Sequence, residues 1–117
     1  MAIDHVLAVV PVADLAAAQD WYEKLFGRTP DNKPMDTLVE WQVTDNGWVQ
    51  VTVDAERSGT AMLNLAVGDI NQFVADVTSR GLQPDDIQTV SKGVQLCPLH
   101  DPFGNLVTLL GGFRVDY

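Results

Sequence analysis

The chain is 117 residues long and 46% hydrophobic, with 16 acidic against 7 basic residues and a net charge of −9. That length holds one domain, or two small halves around a shared core. The charge repels a polyanionic backbone and excludes nucleic acid as a partner, and no apolar run reaches the roughly 18 residues of a membrane span.

In chain order, the first stretch, MAIDHVLAVVPVADLAAA, opens with an acid and no basic residue. A secretory signal carries a positive n-region and a small-residue cleavage site after its apolar run. Here the apolar run meets a helix-start signal instead, so it reads as a core strand and the protein is expected in the cytoplasm. Asp14 is placed to cap a helix by accepting from its free N–H groups. Leu15, Ala18, Trp21, Tyr22, Leu25 and Phe26 come next at helical spacing, and Gly27 supplies a left-handed stop. The aromatic stripe reads as core. RTPDNKPMD, residues 28 to 36, reads as a loop, because two prolines and several turn formers interrupt it. TLVEWQV (37 to 43) and WVQVTVD (48 to 54) read as strands joined at TDNG through Asn46-Gly47. DAERSG, residues 54 to 59, is the expected connection between the two halves of the chain.

The second half repeats the first. NLAVGDINQFVADVTSRG (64 to 81) has an apolar strand, a capping Asp69, an amphipathic run of Ile70, Phe73, Val74 and Val77, and a closing Gly81. Asp14 and Asp69 are 55 residues apart, the length of a whole supersecondary unit. IQTV (87 to 90), GVQLCPL (93 to 99) and NLVTLLG (105 to 111) are the strand candidates here. The single cysteine, Cys97, excludes an internal disulfide and a Cys-rich zinc site. With no partner base marked for it, it reads as a buried structural thiol. In DPFGN, residues 101 to 105, Asp101 can bond its own backbone, Pro102 presets φ, and Gly104 or Asn105 takes positive φ. This is a stable re-entry into the last strand. The sequence contains no GxSxG, phosphate loop, HExxH or CxxC.

A βαβββ unit in tandem, closed by DPFGN, resembles the vicinal oxygen chelate superfamily of glyoxalase I, extradiol dioxygenases, and fosfomycin- and bleomycin-resistance proteins. DWYEKLFG (20 to 27) is similar to the FY-x-x-x-LG of that family's first helix. The resemblance covers nearly the whole chain. It implies an α+β fold in one domain over residues 1–117: two βαβββ modules, about 1–55 and 60–117, forming a cupped mixed sheet with helices outside.

In the metal-dependent members, His, Gln or Glu ligands project into the cup from the first and last strands of each unit. The resemblance places these positions at Leu7, seven before Asp14, at Met62, seven before Asp69, and at Thr108, four after Gly104. The first module's last strand offers Gln50 or Thr52. Three of the four are poor ligands for a divalent ion. The expectation is therefore no cofactor. The alternative is Zn, Ni, Mn or Fe held by an unusual set drawn from His5, Glu40 and His100, with His100 otherwise expected at the surface. By strand parity the expected ligand-binding wall is Leu7, Val9, Gln50, Thr52, Met62, Asn64 and Thr108, joined by Trp41 or its neighbour Gln42; it is apolar with a few placed polar groups, as a small-molecule pocket is. Trp41 and Trp48 can stack on flat or cationic ligands, but parity does not put the two on one face.

The reading expected from this resemblance is a metal-independent homodimer that binds a small organic molecule, sequestering a cationic, antibiotic-like ligand and so conferring resistance. A metal-dependent lyase, isomerase or dioxygenase of the same superfamily is the first alternative. A non-catalytic structural or interaction domain is the second.

Overall fold

In the computed structural model, which describes residues 2–114, the element order is strand, helix and three strands, twice over. β1 (Val6–Val12) leads into α1 (Leu15–Phe26), followed by β2 (Asn32–Met35), β3 (Leu38–Thr44) and β4 (Gly47–Val53). β5 (Met62–Ala66) leads into α2 (Ile70–Ser79), followed by β6 (Gln88–Thr89), β7 (Gln95–His100) and β8 (Leu106–Gly111). Each half forms its own four-stranded mixed sheet, in the orders β1-β4-β3-β2 and β5-β8-β7-β6. In both, the first strand runs parallel to the last and the remaining pairs are antiparallel.

The helix starts depend on the two aspartates. The Asp14 side chain accepts from the Ala17 N–H and that of Asp69 from the Gln72 N–H, each satisfying an end donor that the helix cannot. Gly27 ends α1 at φ +75°, while α2 ends at Ser79 with Arg80 as a right-handed cap before Gly81 turns at φ +102°. Arg80 reaches back to α1, its Nε donating to the Lys24 carbonyl at 2.6 Å and its Nη2 to that of Leu25 at 3.3 Å. A cation from the second half thus caps the carbonyl end of the first half's helix, where the helix dipole favours positive charge.

Three local expectations change. The segment read as a loop from 28 to 36 contains β2, which pairs with β3 alone. An edge strand tolerates Pro34 because its free side needs no donor, and the register breaks between Asn32 and Met35. In the β3–β4 hairpin, Thr44 pairs with Gly47, leaving Asp45 and Asn46 as the turn. A Cβ at Gly47 would lie 2.6 Å from Thr44 Oγ1, so a larger residue there would force the Thr44 side chain to turn aside. The strand read at 87 to 90 shrinks to two residues, and a 3₁₀ turn at Ser91–Gly93 intervenes before β7.

Helix-facing side chains of both sheets share one core. Val10, Val12, Val39, Trp41, Val49 and Val51 are buried from the first half, and Leu63, Val77, Cys97, Leu99, Val107 and Leu109 from the second. Trp41, expected on the ligand wall, is instead fully buried. Its ring lies 5.2 Å from that of Phe26 and 6.3 Å from that of Tyr22, and its Nε1 donates to the Arg28 carbonyl. The reason is alternation along β3, where Val39 and Trp41 share the face that meets α1.

Asp101 and Asn105 are the buried polar side chains of that core. Asp101 Oδ1 accepts from the N–H groups of Phe103 and Asn105, both at 2.9 Å. Its Oδ2 accepts from Tyr22 Oη at 2.9 Å and from Asn105 Nδ2 at 2.7 Å. Asn105 Nδ2 also donates to the Pro11 carbonyl, and its Oδ1 accepts from the Ala61 N–H. Tyr22 and Pro11 belong to the first half, so this network fastens the two halves together. Gly59 completes the joint: at φ +86°, a Cβ there would stand 2.2 Å from the Phe103 carbonyl oxygen. The corresponding β3–β4 connection of the first half is only the two-residue turn and makes no such clasp.

Burial, and then the Asp101 charge and hydrogen bond, push the Tyr22 hydroxyl well above its ordinary range. The folded chain keeps a proton that the unfolded chain releases above about pH 10, so this contribution to stability is whole below that pH and is lost as pH rises beyond it. We expect Tyr22→Phe to cost about 1–2 kcal/mol near neutrality and to flatten the alkaline loss, whereas Asp101→Ala, which strands several buried donors, costs about 3 kcal/mol or more. Urea unfolding at neutral and alkaline pH measures both; equal alkaline slopes in wild type and Tyr22→Phe would refute the assignment.

Candidate functional site

Alternation along the strands leaves each sheet one face turned away from its helix. On the first sheet Leu7, Val9 and Pro11 of β1 stand beside Trp48, Gln50 and Thr52 of β4, which in turn face Gln42, Glu40 and Leu38 of β3. On the second sheet Met62, Asn64 and Ala66 of β5 stand beside Leu106, Thr108 and Leu110 of β8. Seven of the eight expected wall residues therefore lie on these two outer faces; Trp41 does not. Leu7 is 50% exposed, Val9 54% and Met62 78%, so within one chain the faces are largely open.

Two residues belong with this set and escape the sequence-based wall. Glu40 sits in the Val9–Gln50 row, its Oε2 accepting from Gln50 Nε2 at 2.8 Å and its Oε1 from Asn32 Nδ2 at 3.1 Å. Trp48 sits one row along, between Leu7 and Gln42. The signal that would have found them is polarity by parity: Glu40 and Gln42 alternate with Val39 and Trp41, and Gln50 and Thr52 with Val49 and Val51. The polar parity is the open one, and Trp48 shares it.

A groove of about 610 Å³ separates the two halves, walled by Val6, Ala8 and Phe26 on one side and Leu63, Leu65 and Phe73 on the other. Trp48, Gln42 and Asn64 contribute to its lining, so it communicates with the outer faces. Arg28 stands at its edge, bonded to Asp31 and to the Gln42 carbonyl. The Arg28 guanidinium, helped by the Gln42 N–H, holds the Asp31 carboxyl below the usual carboxylate range.

The positions that the sequence resemblance assigns to metal ligands hold Leu7, Met62, Thr108, and Gln50 or Thr52. An alkyl group, a thioether, a hydroxyl and an amide do not make a ligand set for a hard or borderline divalent ion. Nor do the alternative donors converge. His5 precedes β1, four residues from the row that holds Glu40, or about 13 Å along the strand. Glu40 is engaged with two amides, and His100 is exposed at the end of β7 on the other sheet. Among the described residues no three His, Cys, Asp or Glu side chains group to hold a metal ion. Cys97 is buried, and its thiol donates to the Asp85 carbonyl. Burial, and then the nearby Asp85 and Asp86 charges, push that thiol up, away from the thiolate form a nucleophile needs. No described helix is long and apolar enough to cross a membrane.

No family model and no curated protein matches the chain. Solved structures do. A glyoxalase / bleomycin resistance protein from Catenulispora acidiphila superposes with a TM-score of 0.87 at 28% identity, covering 92% of this chain and 96% of that one. An antibiotic binding protein from a Streptomyces species gives 0.76 at 23% identity, over 95% and 98% of the two chains. A bleomycin-binding protein in complex with bleomycin gives 0.78 at 18% identity, over 94% and 99%. The βαβββ repeat, the clasp at DPFGN and this near-complete superposition agree: the chain has the fold of the vicinal oxygen chelate superfamily and is similar over nearly its whole length to a glyoxalase/bleomycin resistance protein.

Proposed function

We propose that this protein is a metal-independent homodimeric binding protein that sequesters a small, antibiotic-like organic molecule in the cytoplasm. The observation that carries the reading is the chemistry of the two outer sheet faces. They combine exposed Leu7, Val9 and Met62 with the neutral hydrogen-bonding groups of Gln50, Thr52, Asn64 and Thr108, and that mixture suits an organic ligand better than an ion. Sequestration requires affinity and no reacting group, which fits a site without an activated nucleophile or a convergent donor set. Two proteins of the same fold carry the names of antibiotic and bleomycin binders, and this supports the ligand class. A second copy of the chain is the natural cover for the open faces. A two-fold pair places the same surface on both sides and encloses the ligand between subunits.

Three measurements test this. Sedimentation equilibrium should give a species of about twice the 12.8 kDa chain mass; a monomer at every concentration rejects the dimer. After dialysis against Ni²⁺, Zn²⁺, Mn²⁺ and Fe²⁺ in turn, elemental analysis should find far less than one metal per subunit. One tight metal per subunit would instead point to a metal-dependent enzyme of the same superfamily. In calorimetric titrations with bleomycin and a panel of aromatic antibiotics, Gln50→Ala and Asn64→Ala should each weaken the best binder by about 1 kcal/mol, roughly fivefold. Affinity unchanged in both variants would remove the ligand from these faces.

A further inference from the structure

On the outer face of the first sheet, one carboxylate lacks a cationic partner. Glu40 is half-buried, and its two oxygens are fixed by neutral amides of Asn32 and Gln50. The ion pairs between described residues are Lys24–Asp20, Arg28–Asp31 and Arg57–Asp54, and none involves Glu40. A carboxylate has about four acceptor positions, and those two amides use one on each oxygen. The amides fix the orientation of the group without neutralising its charge.

Beside it stands an aromatic ring. Glu40 pairs with Gln50 and Gln42 with Trp48, so Trp48 lies diagonally across from Glu40 on the same face, a spacing that long and aromatic side chains bridge. The intervening Gln42 amide donates to the Asp45 carbonyl. Arg28 is engaged by Asp31 and the Gln42 carbonyl, so it is not the missing counter-ion. A carboxylate with spare acceptor capacity and an indole placed diagonally from it on one sheet face can together receive a flat or alkylated organic cation, through a charge-assisted hydrogen bond and the ring's negative face. An anionic group would meet repulsion from Glu40 here. The net charge of −9 adds a long-range attraction for the same cation.

We infer that the Glu40–Trp48 corner is the subsite that receives an organic cation of the ligand, an amidinium, guanidinium or substituted ammonium. This rests on the reading that the outer faces form the ligand site. The rest of such a ligand would extend past Trp48 toward the groove that Trp48 helps to line.

The test uses the full chain labelled with ¹⁵N, the Trp48 indole N–H assigned through Trp48→Phe, and two probes of nearly equal shape: benzamidinium and neutral benzamide. Benzamidinium should shift the Trp48 indole and Gln50 side-chain signals and bind about tenfold more tightly than benzamide. Glu40→Gln, which keeps the side chain's size, should abolish that preference. Glu56→Gln removes the same unit charge at an exposed position and should leave it intact. Should Glu40→Gln fail to fold, Trp48→Leu provides the second reading and should also reduce the preference. Equal binding of the two probes, or equal effects of Glu40→Gln and Glu56→Gln, overturns the inference. If neutral aromatic antibiotics perturb the outer-face signals while the cation shows no preference, the subsite falls and the binding-protein reading stands. If neither the probes nor the antibiotic panel perturbs either face, both fall together.

Discussion

The carboxylate of Asp101 is the point through which the two halves hold each other. A buried charge is costly unless hydrogen bonds surround it, and here four donors do so: two backbone N–H groups of its own turn, an amide from Asn105 and a hydroxyl from Tyr22. The last comes from the other half of the chain. Asn105 then extends the network to the Pro11 carbonyl and the Ala61 N–H. No buried side-chain polar atom among the described residues is left without a partner. In a small core that condition matters, because a half-satisfied network is worse than none. The apolar layer around it, Tyr22 and Trp41 with Leu99 and Val107, is held at a fixed depth by this polar peg.

The rigid joint decides what the sheets can do. With α1 capped by Arg80 from the second half and Gly59 pressed against the DPFGN turn, the helix sides of both sheets are largely taken up in packing, apart from the groove between the halves. The opposite faces carry the remaining open surface of the sheets. Site chemistry therefore rests on strand parity alone, and each side chain's role depends on which face it occupies. Trp41 and Trp48 illustrate this. They are the same residue type on adjacent strands, yet Trp41 is fully buried core and Trp48 is half-buried on the outer face.

Much of the fold is legible in the residues because it depends on short-range chemistry. Asp14 and Asp69 announce their helices within a few residues, and Asp101 bonds its own turn as the DPFGN pattern requires. Cys97, buried, and His100, exposed, both lie where the sequence puts them. Errors arise where a partner strand sets the outcome. β2 carries Pro34 in a segment of turn formers and becomes a strand only because β3 offers it an edge. Residue type, large and aromatic, puts Trp41 on the wall, against the alternation of its own strand, in which Glu40 and Gln42 mark the solvent side. Glu40 reads from sequence only as a candidate metal ligand. Its amide neighbours Asn32 and Gln50 lie 8 and 10 residues away and meet it only once three strands are in register.

The clasp at residues 101–105 has no counterpart in the first half, where the equivalent connection is the turn at Asp45 and Asn46. The two halves share strand order and the capped helix, so the chain is an approximate structural repeat, and the clasp breaks the likeness. The halves are alike as architecture and unlike as parts. One supplies the lock and the other the carbonyl and hydroxyl that it grips. The repeat is thus freed from any need to stay symmetric in sequence. The first sheet's outer face can keep a carboxylate and an indole while the second keeps methionine, asparagine and threonine, so that one molecule carries two chemically different outer faces.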